Sequence, residues 1–202
     1  MATMIDTLIA FHATSHPGAT SGSASQRVDV ALEDQSGWSA IRSTWPAEPR
    51  FAGLTHGFDA AVGPADAVWK GQHNVVWDYD RDWADGVVTP GFKQVSLVRR
   101  RPDISAEEFR ERYLGHGEVA KVHHGVWKYA QNVDLQLVDG GIDDGFGPVD
   151  GISELWFESY EALRDRFYAR ADSVDVVRED TSRFLDFAST YSVLVNETIV
   201  RS

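Results

Sequence analysis

The chain has 202 residues, with 19 Lys and Arg against 31 Asp and Glu and a formal net charge of −12 at pH 7. Its 43% hydrophobic and 25% charged residues are those of a globular chain, long enough for one large domain or two of about 100 residues each. The acidic balance argues against a nucleic-acid partner, the lack of Cys removes disulfides and thiolate chemistry, and no basic leader or membrane-length apolar run is present, so a cytoplasmic protein with no membrane partner is expected.

In the first half, residues 1–92, Asp6 to Ala13 reads as a strand and Thr14 to Ser25 as a Ser/Gly-rich loop. Val28, Val30 and Leu32 alternate, Phe51 to Phe58 and His73 to Tyr79 are further strands, and a helix is suggested around Trp38 to Trp45. Val88-Thr89-Pro90-Gly91 has the turn chemistry of a boundary.

The second half, residues 93–202, opens with an alternating strand from Lys93 to Arg99. Ser105 and Glu108 form a capping box, with Ile104 and Phe109 at the staple positions of a helix whose stripe is Ala106, Phe109, Tyr113 and Ala120. Gly125 stops that helix, which puts His123 and His124 in its last turn. Val126 to Val133 is an aromatic, β-branched strand, and Asp139 to Pro148 a glycine-rich acidic loop. Gly151 to Phe157 reads as a strand, Ser159 caps a helix, Val177 to Leu185 is a short helix, and Tyr191 to Val200 closes as a strand. The order β-α-β-β-α-β is the ferredoxin-like arrangement of an α+β fold. Parallels such as Val75-Val76-Trp77-Asp78 beside Glu154-Leu155-Trp156-Phe157-Glu158 suggest a degenerate first copy of the same unit.

His116 is the sharpest chemical candidate. At about 100° per residue, seven steps place it within about 20° of Phe109 on the apolar stripe, near Tyr113. An imidazole beside a phenol on such a face suits proton transfer near neutral pH, while the plain alternative is a hydrogen-bonded helix-end histidine. His123, seven residues on, is a second candidate, with interaction at the helix C-terminus as its alternative. Metal is disfavoured: no His-Glu-x-x-His occurs, and although His12 and His16 have i, i+4 spacing, Pro17 and Gly18 follow in a loop composition. No glycine-rich phosphate cradle or nucleophile elbow is present, so no cofactor site is expected. The pairs Asp143-Asp144 and Glu179-Asp180 read as solvent-facing rather than as an acid/base dyad. Trp127, Tyr129, Trp156 and Trp77 on strands, with Phe109 on the helix, would suit a flat apolar ligand. Arg99 would offer it a cation, or mark a strand end.

The second half resembles an EthD-domain protein of the dimeric α+β barrel superfamily. The resemblance rests on Lys93 to Arg100, Ser105-Ala106-Glu107-Glu108-Phe109-Arg110-Glu111-Arg112-Tyr113-Leu114-Gly115-His116, Trp127 to Asn132 and Asp150 to Ser159. It implies ferredoxin-like units pairing their sheets into a barrel, either two units in one chain or a homodimer, with a small aromatic or polyketide-like ligand between sheet and helices. The family histidine falls on His116. The resemblance also implies cofactor-independent chemistry: a lyase, dehydratase or cyclase with His116 shuttling the proton and Tyr113 orienting an oxygen. A cofactor-free monooxygenase, and a haem- or ligand-binding protein without catalysis, are the rival readings.

Overall fold

A computed structural model describes residues 4–15, 17–18, 25–37, 49–58 and 62–201. The first half supplies β1 (Met4–His12), β2 (Ser25–Ala31), β3 (Gly53–Phe58) and β4 (Ala67–Trp77). The second supplies β5 (Phe92–Val98), α1 (Ala106–His123), β6 (Lys128–Gly140), β7 (Gly151–Phe157), α2 (Tyr160–Arg166), α3 (Ser173–Thr181) and β8 (Tyr191–Arg201). All strand pairs are antiparallel, and the strands close into a barrel in the order β1-β3-β2-β8-β5-β7-β6-β4. Within that ring, each half lays its fourth, first, third and second strands side by side. The halves meet through β2 with β8 and through β4 with β6. The fold is therefore α+β, an eight-stranded barrel consistent with two ferredoxin-like units in one chain.

Local chemistry explains the start of α1. Ser105 Oγ accepts the Glu108 amide at 3.1 Å, as a cap should. The carboxylate of Glu108 is instead paired with Arg112 one turn on, at 2.7 Å, so only half of the expected capping box forms. Ile104 and Phe109 pack in one cluster with Tyr113 and Phe184, which is the staple. The helix ends on His124, whose amide donates to the Ala120 carbonyl.

Two expectations shift. The loop expected from Asp139 begins later, because β6 continues to Gly140 along β4. Register shifts in that pair, and Asp134 at φ 55 with its carboxylate held by Arg110 at 2.9 Å, let the strand bend without breaking. The short helix expected from Val177 begins at Ser173, after Asp172, and ends at Thr181, where the chain turns to bridge Leu185 to Arg100. The helix expected over Trp38 to Trp45, and His16, lie outside the described residues.

Strand alternation sorts the barrel interior into two ends. At one end Ile9, Phe11, Leu54, Trp69, Val95, Leu97, Ile152 and Val193 form the apolar core. At the other the inward positions are charged: Arg27, Asp29, Lys93, Glu154 and Glu197 are all buried. Among the described residues, helices lie only on the second half's sheet, so a sheet-to-helix space exists there.

Candidate functional site

A cavity of about 550 Å³ lies between the outer face of β5, β6, β7 and β8 and the helices α1 and α3, a size typical of small-molecule sites. Its floor is polar because Gln94, Ser96, Ser153 and Ser192 occupy the outward positions of their strands. These groups hydrogen-bond to one another and to the phenols beside them, with Gln94 Oε1 left without a partner. Ser96 and Ser192 hydroxyls are 2.6 Å apart, and Gln94 Nε2 donates to Ser96 Oγ at 2.6 Å. Tyr113 Oη is 2.7 Å from Ser153 Oγ, and Gln131 Nε2 donates to Tyr129 Oη at 3.1 Å. Burial holds both phenols above the ordinary range, so they are neutral. Phe184, Phe167, Tyr168, Val177 and Leu155 form apolar walls. Gly151 makes room for this arrangement: a Cβ there would stand 2.7 Å from the Tyr113 ring.

His116 sits on the cavity wall, 6% exposed. Its Nδ1 is 2.7 Å from Asp180 Oδ2 on α3. A carboxylate accepts only, so Nδ1 carries the proton, and neutral imidazole then has its lone pair on Nε2. The ring packs against Phe184 and meets Tyr129 edge-on, 6.3 Å between centroids. An imidazole aligned by a carboxylate at an aromatic cavity is a general-base arrangement: Asp180 compensates the charge when Nε2 takes a proton. His124 also lines the cavity, with Nδ1 2.8 Å from the Phe167 carbonyl. Burial, reinforced by neighbouring imidazoles, lowers its pKa to about 4, so it is neutral at pH 7.

Residues 101–188 match the model of the EthD domain. The second half of the chain thus carries the match to the EthD domain. No curated protein matches the chain. Among solved structures, one described as an anthrone oxidase-like protein shares the fold, with a TM-score of 0.50 and 11% identity over 98% of this chain and 94% of that one. The matched EthD residues contain His116, His124 and Asp180, whereas the floor residues Gln94, Ser96 and Ser192 lie outside them.

Of the residues singled out from sequence, the EthD cavity brings together His116, Tyr113 and Tyr129. The others sit elsewhere. His123 turns away to Ser173 Oγ, 3.1 Å from its Nδ1. Phe109 packs behind Tyr113 and Phe184. Trp127 stacks on Tyr79, 4.3 Å between centroids, and Trp77 buttresses Tyr129 from outside while donating to the Val126 carbonyl. Trp156 points into the barrel, because strand alternation gives it the face opposite Leu155. Arg99 ties a loop to the barrel through Asp144 at 2.6 Å and the Gly147 and Ser189 carbonyls. Conversely, Asp180 partners His116 rather than solvent, a pairing that rests on how α3 crosses α1. His124, expected with His123 in the last turn of the helix, does line the cavity, whereas the Ser/Gln floor escaped notice, since a polar outward position reads equally as solvent-facing.

The charged end of the barrel is a separate cluster. Asp29, His56 and Glu154 offer ligand atoms close enough for a metal ion. Lys93 Nζ already stands among the carboxylates, 2.7 Å from both Asp29 and Glu154 and 3.1 Å from Glu197. The resident cation is thus an ammonium, and the residues do not fit a metal ion in addition. Burial alone would raise the glutamates; Lys93 and Arg27 overrule it, holding Glu154 well below the usual range and Glu197 at about 2. Residues of β5 and β7 in this cluster alternate with those of the cavity floor, so it fixes the strands beneath the floor.

Proposed function

We propose that this protein is a cofactor-independent monooxygenase acting on a hydroxylated, anthrone-like aromatic compound held in the EthD cavity. The His116–Asp180 pair on an aromatic wall is the observation that carries this reading. The fold shared with an anthrone oxidase-like protein supports oxygenation over the dehydratase or cyclase chemistry that the same base would serve.

In the proposed reaction His116 Nε2 removes a proton from the activated methylene, and the electrons left behind delocalise into the ring carbonyl. That carbanion is its own reductant: it delivers electrons to O2, and a carbon–oxygen bond forms. The peroxide accepts the proton back from the imidazolium. Loss of the second methylene hydrogen then breaks the oxygen–oxygen bond, leaving a ketone and releasing water. One O2 is consumed, one of its atoms entering the product and the other leaving as water. Asp180 holds the tautomer and balances the imidazolium, and the apolar walls exclude bulk water. Tyr113, a neutral phenol, is placed to orient a substrate oxygen.

The test is oxygen uptake on anthrone, above its uncatalysed background, with no added flavin, nicotinamide, haem or metal. One O2 per quinone formed is expected, with a rate about 10²- to 10⁴-fold lower in folded His116→Ala. Turnover of a hydroxylated substrate without oxygen uptake would overturn the reading in favour of a dehydratase. A Soret band on haem titration, lost in His116→Ala, would overturn it in favour of a haem protein.

A further inference from the structure

Much of the polar lining of the cavity is hydrogen-bonded within itself. Tyr113 pairs with Ser153, Gln131 Nε2 donates to Tyr129, and Gln94 Nε2 donates to Ser96, which pairs with Ser192. Thr181 donates to the Val177 carbonyl, and Thr190 Oγ1 accepts from the Arg99 amide. Among the described residues, neither His116 Nε2 nor His124 Nε2 has a hydrogen-bond partner, and Gln94 Oε1 on the floor is a further buried acceptor without one.

These two rings are fixed differently. They stand 6.2 Å apart between centroids, at an interplanar angle of 78°. His116 is backed by a carboxylate and suits proton uptake. His124 is backed by a carbonyl, which requires the proton on Nδ1 and leaves a lone pair on Nε2. Its position at the end of α1 is set by its amide on the Ala120 carbonyl, and its ring is clamped against Tyr168 and Phe167. With no carboxylate behind it and a pKa lowered to about 4 by burial, it accepts a hydrogen bond without taking the proton.

We propose that His124 is a specificity-determining positioning residue: its Nε2 accepts a hydrogen bond from a phenolic hydroxyl of the ligand, remote from the carbon that His116 deprotonates. The substrate class is thereby narrowed to polycyclic phenols with a hydroxyl at that point. A carboxylate at that point would meet a lone pair and be repelled, and an unsubstituted ring would leave the buried acceptor unpaired. This inference rests on the proposed reading of the same cavity.

Equilibrium binding tests it without turnover. Anthrone, 2-hydroxyanthrone and 3-hydroxyanthrone are titrated anaerobically into the whole protein, followed by quenching of Trp fluorescence. At least one hydroxy isomer should bind about tenfold tighter than anthrone, the scale of one neutral hydrogen bond. His124→Asn keeps an amide donor for the Phe167 carbonyl but nothing at the Nε2 position, and should bring that preference to about one. His124→Gln, which returns an acceptor there, should restore it. A merely structural role would weaken all three ligands together and leave their ratio unchanged. Equal binding of the three compounds by the parent overturns the proposal even if neither variant folds, as does a preference retained in His124→Asn. Oxygen uptake is scored separately: a hydroxyl preference without uptake sinks the oxygenase reading alone, and uptake without the preference sinks only the role of His124.

Discussion

Replacing Asp180 by Asn separates the charge of this side chain from its shape. The amide oxygen can still accept from His116 Nδ1 across the 2.7 Å gap, but nothing then neutralises the imidazolium that forms when Nε2 takes the substrate proton. Hydrogen bonds to charged groups are worth about 1.5–3 kcal/mol, and each 1.36 kcal/mol of barrier is about a factor of ten in rate. The predicted loss in kcat is therefore about 10- to 150-fold. Asp180 is 25% exposed, and water screens such a pair, which puts the expected value nearer tenfold. KM should change little, because the charge matters only once the proton has moved. Oxygen uptake on anthrone at saturating concentration, with thermal unfolding checked in parallel, measures it. A kcat within twofold of the parent in folded protein would refute the role given to the carboxylate.

Three predictions concern the scaffold. Lys93→Met leaves Asp29, Glu154 and Glu197 facing one another without the ammonium between them, and should cost about 3–5 kcal/mol, or a fall in Tm of about 6–20 °C for a chain of this size. A Tm within 2 °C of the parent would show that the cluster reorganises freely. Acid should destabilise the fold progressively. His73 and His124, lowered to about 3 and about 4 chiefly by burial, stay neutral in the fold yet protonate near 6.5 when unfolded. Glu197, held at about 2, well below its ordinary 4.5, by Lys93 and Arg27, stays ionised in the fold. All three bind protons more weakly folded than unfolded, so stability is complete at neutral pH, declines below about 6.5 and keeps declining towards 2. Urea midpoints at pH 7, 5.5 and 4 should fall in that order, and a flat series would contradict it. Gly151→Ala puts a methyl group 2.7 Å from the Tyr113 ring; it should lower stability by about 1–3 kcal/mol and reduce turnover by moving the phenol off Ser153, whereas parent-like turnover would place Tyr113 outside the reaction.

The sequence made the second half legible because its signals are local. Ser105, the stripe through Phe109 and Tyr113, and the alternation from Gly151 to Phe157 each depend on neighbours a few residues away, and β7 begins and ends where its pattern does. His116 was found for the same reason, since seven steps of helix fix its face whatever packs against it. The partners that give it chemistry come from far along the chain. Asp180 lies 64 residues on and reaches His116 only because α3 crosses α1. Periodicity also tells the two faces of a strand apart without saying which face meets solvent, helix or barrel interior. Lys93, Glu154 and Trp156 thus gave no sign of pointing inward together, and Trp156 was assigned to the ligand when it packs against Lys93. The first half carried weaker signals, because its strands are not separated by long amphipathic helices among the described residues.

The central claim is that a flat phenolic guest occupies the space between sheet and helices with its acidic hydrogen at His116. A crystal structure of the protein soaked anaerobically with hydroxyanthrone tests it most directly. The account predicts the ligand between Tyr129 and Phe184, its methylene or enol oxygen within about 3.2 Å of His116 Nε2. A ligand bound elsewhere, or His116 turned away from it, would contradict the account.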